Sequence, residues 1–355
     1  MKKLIFSILA LAILVIACKK DDDNSESAIT TFHNNYYNEN IYPALTTFKA
    51  QVELQVSLSE TFQTTPTKEN FISLQNQWLA TTEAFAKVRP YNVLAVKSLF
   101  YDIIIYNFPV TPSVIETNIE EQTTYDATYF STKSTVSKGL GALEYLLYNE
   151  QDEATALSLL QNDTFRVDYL LGVTTEVLNQ TNNLVDFWEL NYKNTFINLT
   201  DVSCTENARC LAFNQLINVI DVIRVTKLGK PSGLESSSSA TVTDLEAYRS
   251  GQSLNLIKSE LEEVQNAYAL SSANFANIVD DIAGNTELSD NIDASFTNIF
   301  TYINNIDSSL YDAILNNDEN VELLYNELYT LVVYFSVDGA STLSISVLAT
   351  DNDGD

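Results

Sequence analysis

Apolar side chains in this sequence recur at the spacings of one face of an α-helix. Phe71, Leu74, Trp78 and Phe85 follow one another at three, four and seven residues, and Leu211, Leu216, Val219, Ile220 and Ile223 make a second such band. Residues three, four and seven apart stack on one side of a helix, whereas strand neighbours alternate, so these stretches predict helices with a buried stripe. Only nine glycines and six prolines interrupt 355 residues, which favours long helices over many short strands.

The pattern predicts a helix from about 28 to 63 with a break at Pro43, and a second opened by the Thr65-Pro66 pair. The stretch 90–112 is apolar, aromatic and bounded by prolines, and reads as a loop-rich connection laid on the core. Helices follow at 137–148, 163–198 and 208–227, the last stopped by Gly229-Lys230-Pro231-Ser232-Gly233. Three more lie at 244–271, 288–316 and 319–335. A weak alternation at 342–348 is the one hint of a strand, and Asp351-Asn352-Asp353-Gly354-Asp355 reads as a frayed acidic tail. The class is all-α, with antiparallel neighbours in bundles.

Met1-Lys2-Lys3, an apolar run from Leu4 to Ala17 and then Cys18 have the layout of a signal peptide, too short for a comfortable membrane span. Val15-Ile16-Ala17-Cys18 resembles a bacterial lipobox, in which the cysteine is lipidated and becomes the new N-terminus. Acyl chains on Cys18 would anchor the protein stably to a membrane. Lys19-Lys20-Asp21-Asp22-Asp23 is similar to the charged export signal of Bacteroidetes lipoproteins; the alternative is a solvated tether. The expected location is the cell envelope, as an outer-membrane lipoprotein; the export-signal reading of 19–23 implies surface exposure, and the tether reading leaves the leaflet open.

A formal charge of −28 excludes nucleic acid as a partner and favours cations or basic partners. In an exported protein Cys204 and Cys210 are expected to form a local disulfide. A metal pair is the alternative, with no histidine or third thiol nearby to support it.

Four segments in order resemble the imelysin family: Leu74-Gln75-Asn76-Gln77-Trp78, Tyr106-Asn107-Phe108-Pro109, Gly139-Leu140-Gly141-Ala142-Leu143-Glu144-Tyr145-Leu146-Leu147, and Arg224 through Gly233. Glu246-Ala247-Tyr248 and Ser253-Leu254 add to the likeness, which covers essentially the whole mature chain. The resemblance implies an exported protein linked to iron or haem uptake, built as two related antiparallel helical-bundle halves with a site between them. The expected division is a signal peptide at 1–17, a lipidated acidic tether at 18–28, halves at 29–163 and 164–347, and an acidic tail at 348–355.

The family's Gly-x-His-x-x-Glu motif is associated with metal binding and, in members described as peptidases, with peptide cleavage. Here it becomes Gly139, Gly141 and Glu144, with glycine where histidine belongs. A histidine three residues before a glutamate sets two ligands on one helical face, and glycine supplies none. The sole histidine, His33, is distant and reads as a partly exposed helical residue. The resemblance places the ligand-binding residues at Trp78, Tyr106, Asn107, Gly139, Glu144, Arg224, Lys227 and Gly229. Glu144 is either an oxygen ligand to a metal or a solvated or salt-bridged acid, for which Arg224 of the other half is a candidate partner.

Iron, haem or another divalent metal is the implied cargo or cofactor, and iron or haem uptake components are the implied partners. With no serine or cysteine nucleophile beside an imidazole, the expected function is non-catalytic binding in iron or haem acquisition. A metal-dependent peptidase and a surface lipoprotein that binds another protein are the alternatives.

Overall fold

The computed structural model describes residues 22–235 and 239–352. The expected signal peptide, Cys18 and the residues 19–21 that follow it lie outside the described residues, as do 353–355. Among the described residues the chain is all-α, and a single bridge between Thr200 and Asn207 is its only strand-like pairing. The segment 345–350 forms no strand. Its backbone pairs instead with a side chain, since Asn214 donates to the Ser346 carbonyl and accepts from the Leu348 N–H.

Helix α1, Asp22–Tyr36, begins inside the stretch expected to be a solvated tether and runs through a π-turn, Tyr37–Ile41, into α2, Tyr42–Thr64. The break expected at Pro43 does not occur. Pro43 sits in the first turn of α2, where the wider turn before it tolerates a residue without an N–H. Helix α3, Lys68–Ala86, is capped by the Thr67 hydroxyl, which accepts from the Asn70 N–H at 3.3 Å, so it starts later than the Thr65-Pro66 pair suggested.

Helix α4, Gly139–Tyr148, is buried at every residue. Helix α5, Thr164–Asp186, is capped by Asp163, and α6, Ala208–Val222, by Asn207. Helix α6 continues through a π-turn, Ile223–Gly229, to Ser232 and stops at Gly233, whose φ of 76° is left-handed. Helices α7, Ser253–Gln265, α8, Glu287–Asn305, and α9, Glu319–Val333, complete the main set.

Helix α2 packs on both α3 and α5, with α4 against α3 and α5. Helix α6 packs on α7 and α9, and α8 pairs with α7 and α9, to make a second group. Helix α5, which a boundary at 163 assigned to the second half, thus belongs to the first group, because its buried face of Leu170, Val173 and Val177 meets α2.

The groups share one apolar core, and each fully buried side chain such as Phe85 contributes roughly 2–3 kcal/mol. They meet where α3 packs on α7 and where the turn Arg89–Tyr91 is wedged against α6 and α7. Cys204 and Cys210 are disulfide-bonded at the entry to α6. Among the described residues no helix is long and apolar enough to cross a membrane.

Candidate functional site

Four charged side chains from distant parts of the sequence meet at the seam between the helical groups. The turn after α3 supplies Arg89, the π-turn of α6 supplies Lys227, the connection before α7 supplies Glu246, and α7 supplies Glu260. The Arg89 guanidinium forks onto Glu246 at 2.6 and 3.2 Å and stands 3.6 Å from Glu260. It also lies over the rings of Phe85 and Tyr106, 5.2 Å from each centroid. Lys227 reaches Glu246 at 3.0 Å and donates to Glu260.

Two cations therefore balance two anions away from water. Burial alone would raise the Glu246 carboxyl, but Arg89 and Lys227 outweigh it and hold it down to about 2. Removing one member of such a cluster leaves a buried charge uncompensated.

Glu144 crosses the same seam without a cation in contact. Its Oε1 accepts from the Ser250 N–H at 2.9 Å and the Ser250 hydroxyl at 3.0 Å. Burial raises its carboxyl to about 7, and the Ser250 bonds and the more distant Arg249 offset that only in part. The expected pairing with Arg224 is not made. Arg224 instead binds Glu235 at 2.6 Å, the Tyr325 hydroxyl at 2.8 Å and Asp221 at 3.3 Å, because the chain turns at Gly233 and brings Glu235 back to it.

The glycines of α4 lie directly under the connection that precedes it. A Cβ on Gly141 would stand 2.3 Å from the Asn107 carbonyl oxygen and 2.8 Å from Val110 Cγ1. Gly139 has a φ of 77°, and a Cβ there would approach the Ile105 carbonyl at 2.5 Å. The position at which the family motif carries its imidazole is thus filled by backbone. Among the described residues no group of three or more His, Cys, Asp or Glu could hold a metal ion. With Glu144 Oε1 bound to Ser250 as well, the motif residues do not fit the metal that the motif implies.

His33 is buried rather than partly exposed: Nδ1 bonds the Ile197 carbonyl at 3.0 Å and Nε2 accepts from the Arg209 N–H at 3.2 Å. Burial lowers its pKa, and the imidazole serves to tie α1 to the start of α6.

Beside the buried quartet a cleft of about 550 Å³ opens between the groups. Arg89, Lys227, Glu260 and Tyr106 line it together with Phe100, Ile103 and Phe108 from the aromatic connection. Phe100 is 60% exposed, and Leu94, Leu99 and Ile103 beside it are exposed as well. The buried Tyr106 hydroxyl and Asp102 Oδ1 have no hydrogen-bond partner. In a chain of net charge −28, the cleft lining carries four cations, Arg89, Lys97, Lys227 and Lys230, against three acids, Asp102, Glu260 and Asp351.

Depressions of about 620 and 690 Å³ on the first group are lined mostly by polar side chains and include no part of the quartet. Charge, aromatic surface and unpaired polar atoms coincide at the seam cleft and not at these two depressions, which makes it the stronger candidate.

Of the residues expected to bind ligand, Tyr106, Asn107 and Lys227 line the cleft. Trp78 is fully buried and its indole donates to the Leu140 carbonyl at 2.9 Å, so it is a core residue. Gly139 and Glu144 lie in the buried contact of α4, and Arg224 and Gly229 pack near Tyr325. Arg89, Lys97, Phe100 and Glu260 line the cleft without having been singled out. The one signal was an arginine in an otherwise apolar turn.

The sequence profile of the family described as Imelysin matches residues 41–333. The chain belongs to the imelysin family. Its structure is similar to that of an imelysin-like protein from Psychrobacter arcticum 273-4, with a TM-score of 0.76 at 18% identity, covering 91% of this chain and 98% of that one. It is also similar to an iron-regulated protein A precursor from Parabacteroides distasonis ATCC 8503, with a TM-score of 0.76 at 14% identity, covering 89% of this chain and 95% of that one. At these identities the likeness is one of fold. A comparison with curated proteins gives no match. Within the imelysin frame this chain keeps Gly139 and Glu144 and closes the histidine position with the Asn107 carbonyl.

Proposed function

We propose that this imelysin-family chain is a non-catalytic binding protein of the cell envelope that takes up iron-bearing cargo, as haem or a ferric carboxylate complex, in the cleft between its helical groups. The observation that carries this reading is the contrast across α4. The motif position is packed shut by Asn107, while the adjacent cleft joins the exposed Phe100 and Ile103 to a lining of four cations and three acids. An apolar wall with convergent charges suits a flat ligand that bears carboxylates. One structural neighbour is described as an iron-regulated protein, which supports the iron theme.

Envelope attachment rests on Cys18. Cys18→Ala should release the protein from membranes, and continued lipid labelling of that variant would refute the anchor.

The functional test equilibrates the protein with ferrous iron, ferric iron, ferric citrate and haem, followed by elemental analysis and absorption spectra, with peptide hydrolysis assayed in parallel. Stoichiometric binding weakened by Phe100→Ala, without cleavage, is expected. Binding of none of them would discard the reading, and peptide cleavage would replace it with the enzymatic one.

A further inference from the structure

The last described segment, 345–352, lies along α6 and its π-turn in a fixed register. Asn214, Asn218 and Asp221 stand at i, i+4 and i+7 on one helical face, and each holds a successive part of the segment. Asn214 Oδ1 accepts from the Leu348 N–H at 2.7 Å, Asn218 Oδ1 from the Asp351 N–H at 2.8 Å, and Asp221 Oδ2 from the Asn352 amide at 3.0 Å. The Thr350 hydroxyl adds a bond to Asp221 at 2.9 Å, and Thr226 donates to Asn352 Oδ1 at 2.7 Å. This strap brings the Asp351 carboxylate into the cleft, where it takes a 3.0 Å bond from the Asn218 amide and an ion pair from Lys97 of the first group.

The cations of the cleft are thus committed to different degrees. Arg89 and Lys227 are fixed to glutamates that are only 2% exposed, whereas Lys97 and Asp351 are 36% and 43% exposed. A pair so open to water exchanges partners at little cost. The bonds to Asn214 and Asp221 keep the strap beside the cleft after Asp351 lets go, so it competes at high local concentration.

We infer that Lys97 and the Asn218 amide form a carboxylate subsite of the cleft, that Asp351 is its built-in occupant, and that cargo enters by presenting a carboxylate that displaces it. The inference rests on the cleft being the cargo site and adds the chemical class of the group recognised there. A haem propionate and the carboxylate of a ferric citrate complex share that chemistry.

The test is equilibrium titration of haem and of ferric citrate into the wild type, Asp351→Ala and Asp351→Ala/Lys97→Gln, with thermal melts confirming that all three fold. If the strap occupies the subsite about nine-tenths of the time, Asp351→Ala tightens binding about tenfold, and the added Lys97→Gln reverses the gain. The probe that responds identifies the source of the carboxylate. In the wild type, saturating ligand should also release the Asp351 amide to hydrogen exchange. Equal affinities in wild type and Asp351→Ala, for a probe that binds, overturn the subsite and leave the cargo reading standing. Binding of neither probe to any variant overturns both.

Discussion

Glu144 and Glu246 lie at the same seam, 3% and 2% exposed, yet their carboxyls move in opposite directions, to about 7 and about 2. Glu246 is clasped by Arg89 and Lys227, whereas Glu144 meets only the Ser250 N–H and hydroxyl. Burial is common to both, so the nearby cations decide the charge. The quartet is a fixed ionic joint between the helical groups. Glu144 is a carboxyl that burial makes easier to protonate than an exposed one, and the Ser250 bonds hold it across the seam without a cation in contact.

Arg89→Met breaks this contrast most severely, because it leaves two buried glutamates to a single lysine. A stability loss of about 3–5 kcal/mol in denaturant unfolding at pH 7 is expected; a loss below about 1 kcal/mol would show that the quartet is not a joint. Gly141→His should cost about 3 kcal/mol by forcing a side chain into the Asn107 carbonyl. Recovery of that stability on addition of zinc would mean that the motif pocket opens after all.

The two carboxyls also divide the pH axis. The raised pKa of Glu144 contributes stability that is complete below its ordinary value of 4.5 and is lost as the pH rises through about 7. Glu144→Gln keeps an acceptor for Ser250 and should remove that fall, making the variant more stable than wild type by about 2 kcal/mol at pH 8. A pH profile unchanged from wild type would place a cation beside Glu144. For Glu246 the lowered pKa contributes stability present above 4.5 and lost as the pH falls toward 2, so acid unfolding should persist in the Gln variant. The smallest effect belongs to Lys97→Gln, whose half-exposed pair with Asp351 should contribute less than about 0.5 kcal/mol to unfolding. A loss comparable with that of Arg89→Met would make the strap structural.

The helices were legible because spacing reports a buried face directly, as in the Phe71 to Phe85 series. Which partner that face meets is not local information, and so a boundary expected at 163 did not anticipate the packing of α5 on α2. The quartet was hidden for the same reason, since Arg89 and Glu246 are 157 residues apart and nothing near either names the other. His33 looked like a surface residue of an amphipathic helix, but backbone groups 164 and 176 residues away satisfy both its nitrogens and let it be buried. The acidic segment read as frayed because its composition is that of a solvated tail. What holds Asp351 and Asn352 is written elsewhere, in Asn214, Asn218 and Asp221, three polar side chains at helical spacing within an apolar band. Tyr106, Asn107 and Lys227 were named through the family resemblance, and all three line the cleft, whereas the motif residues Gly139 and Glu144 do not.

The most direct test of the account is the position of iron in crystals of the protein loaded with haem or ferric citrate, located by anomalous scattering at the iron edge. The account predicts one peak in the cleft between Phe100, Tyr106 and Lys227, with α4 still closed by the Asn107 carbonyl. A peak beside Glu144 at the Gly141 position would contradict it and restore the motif as the centre of the site.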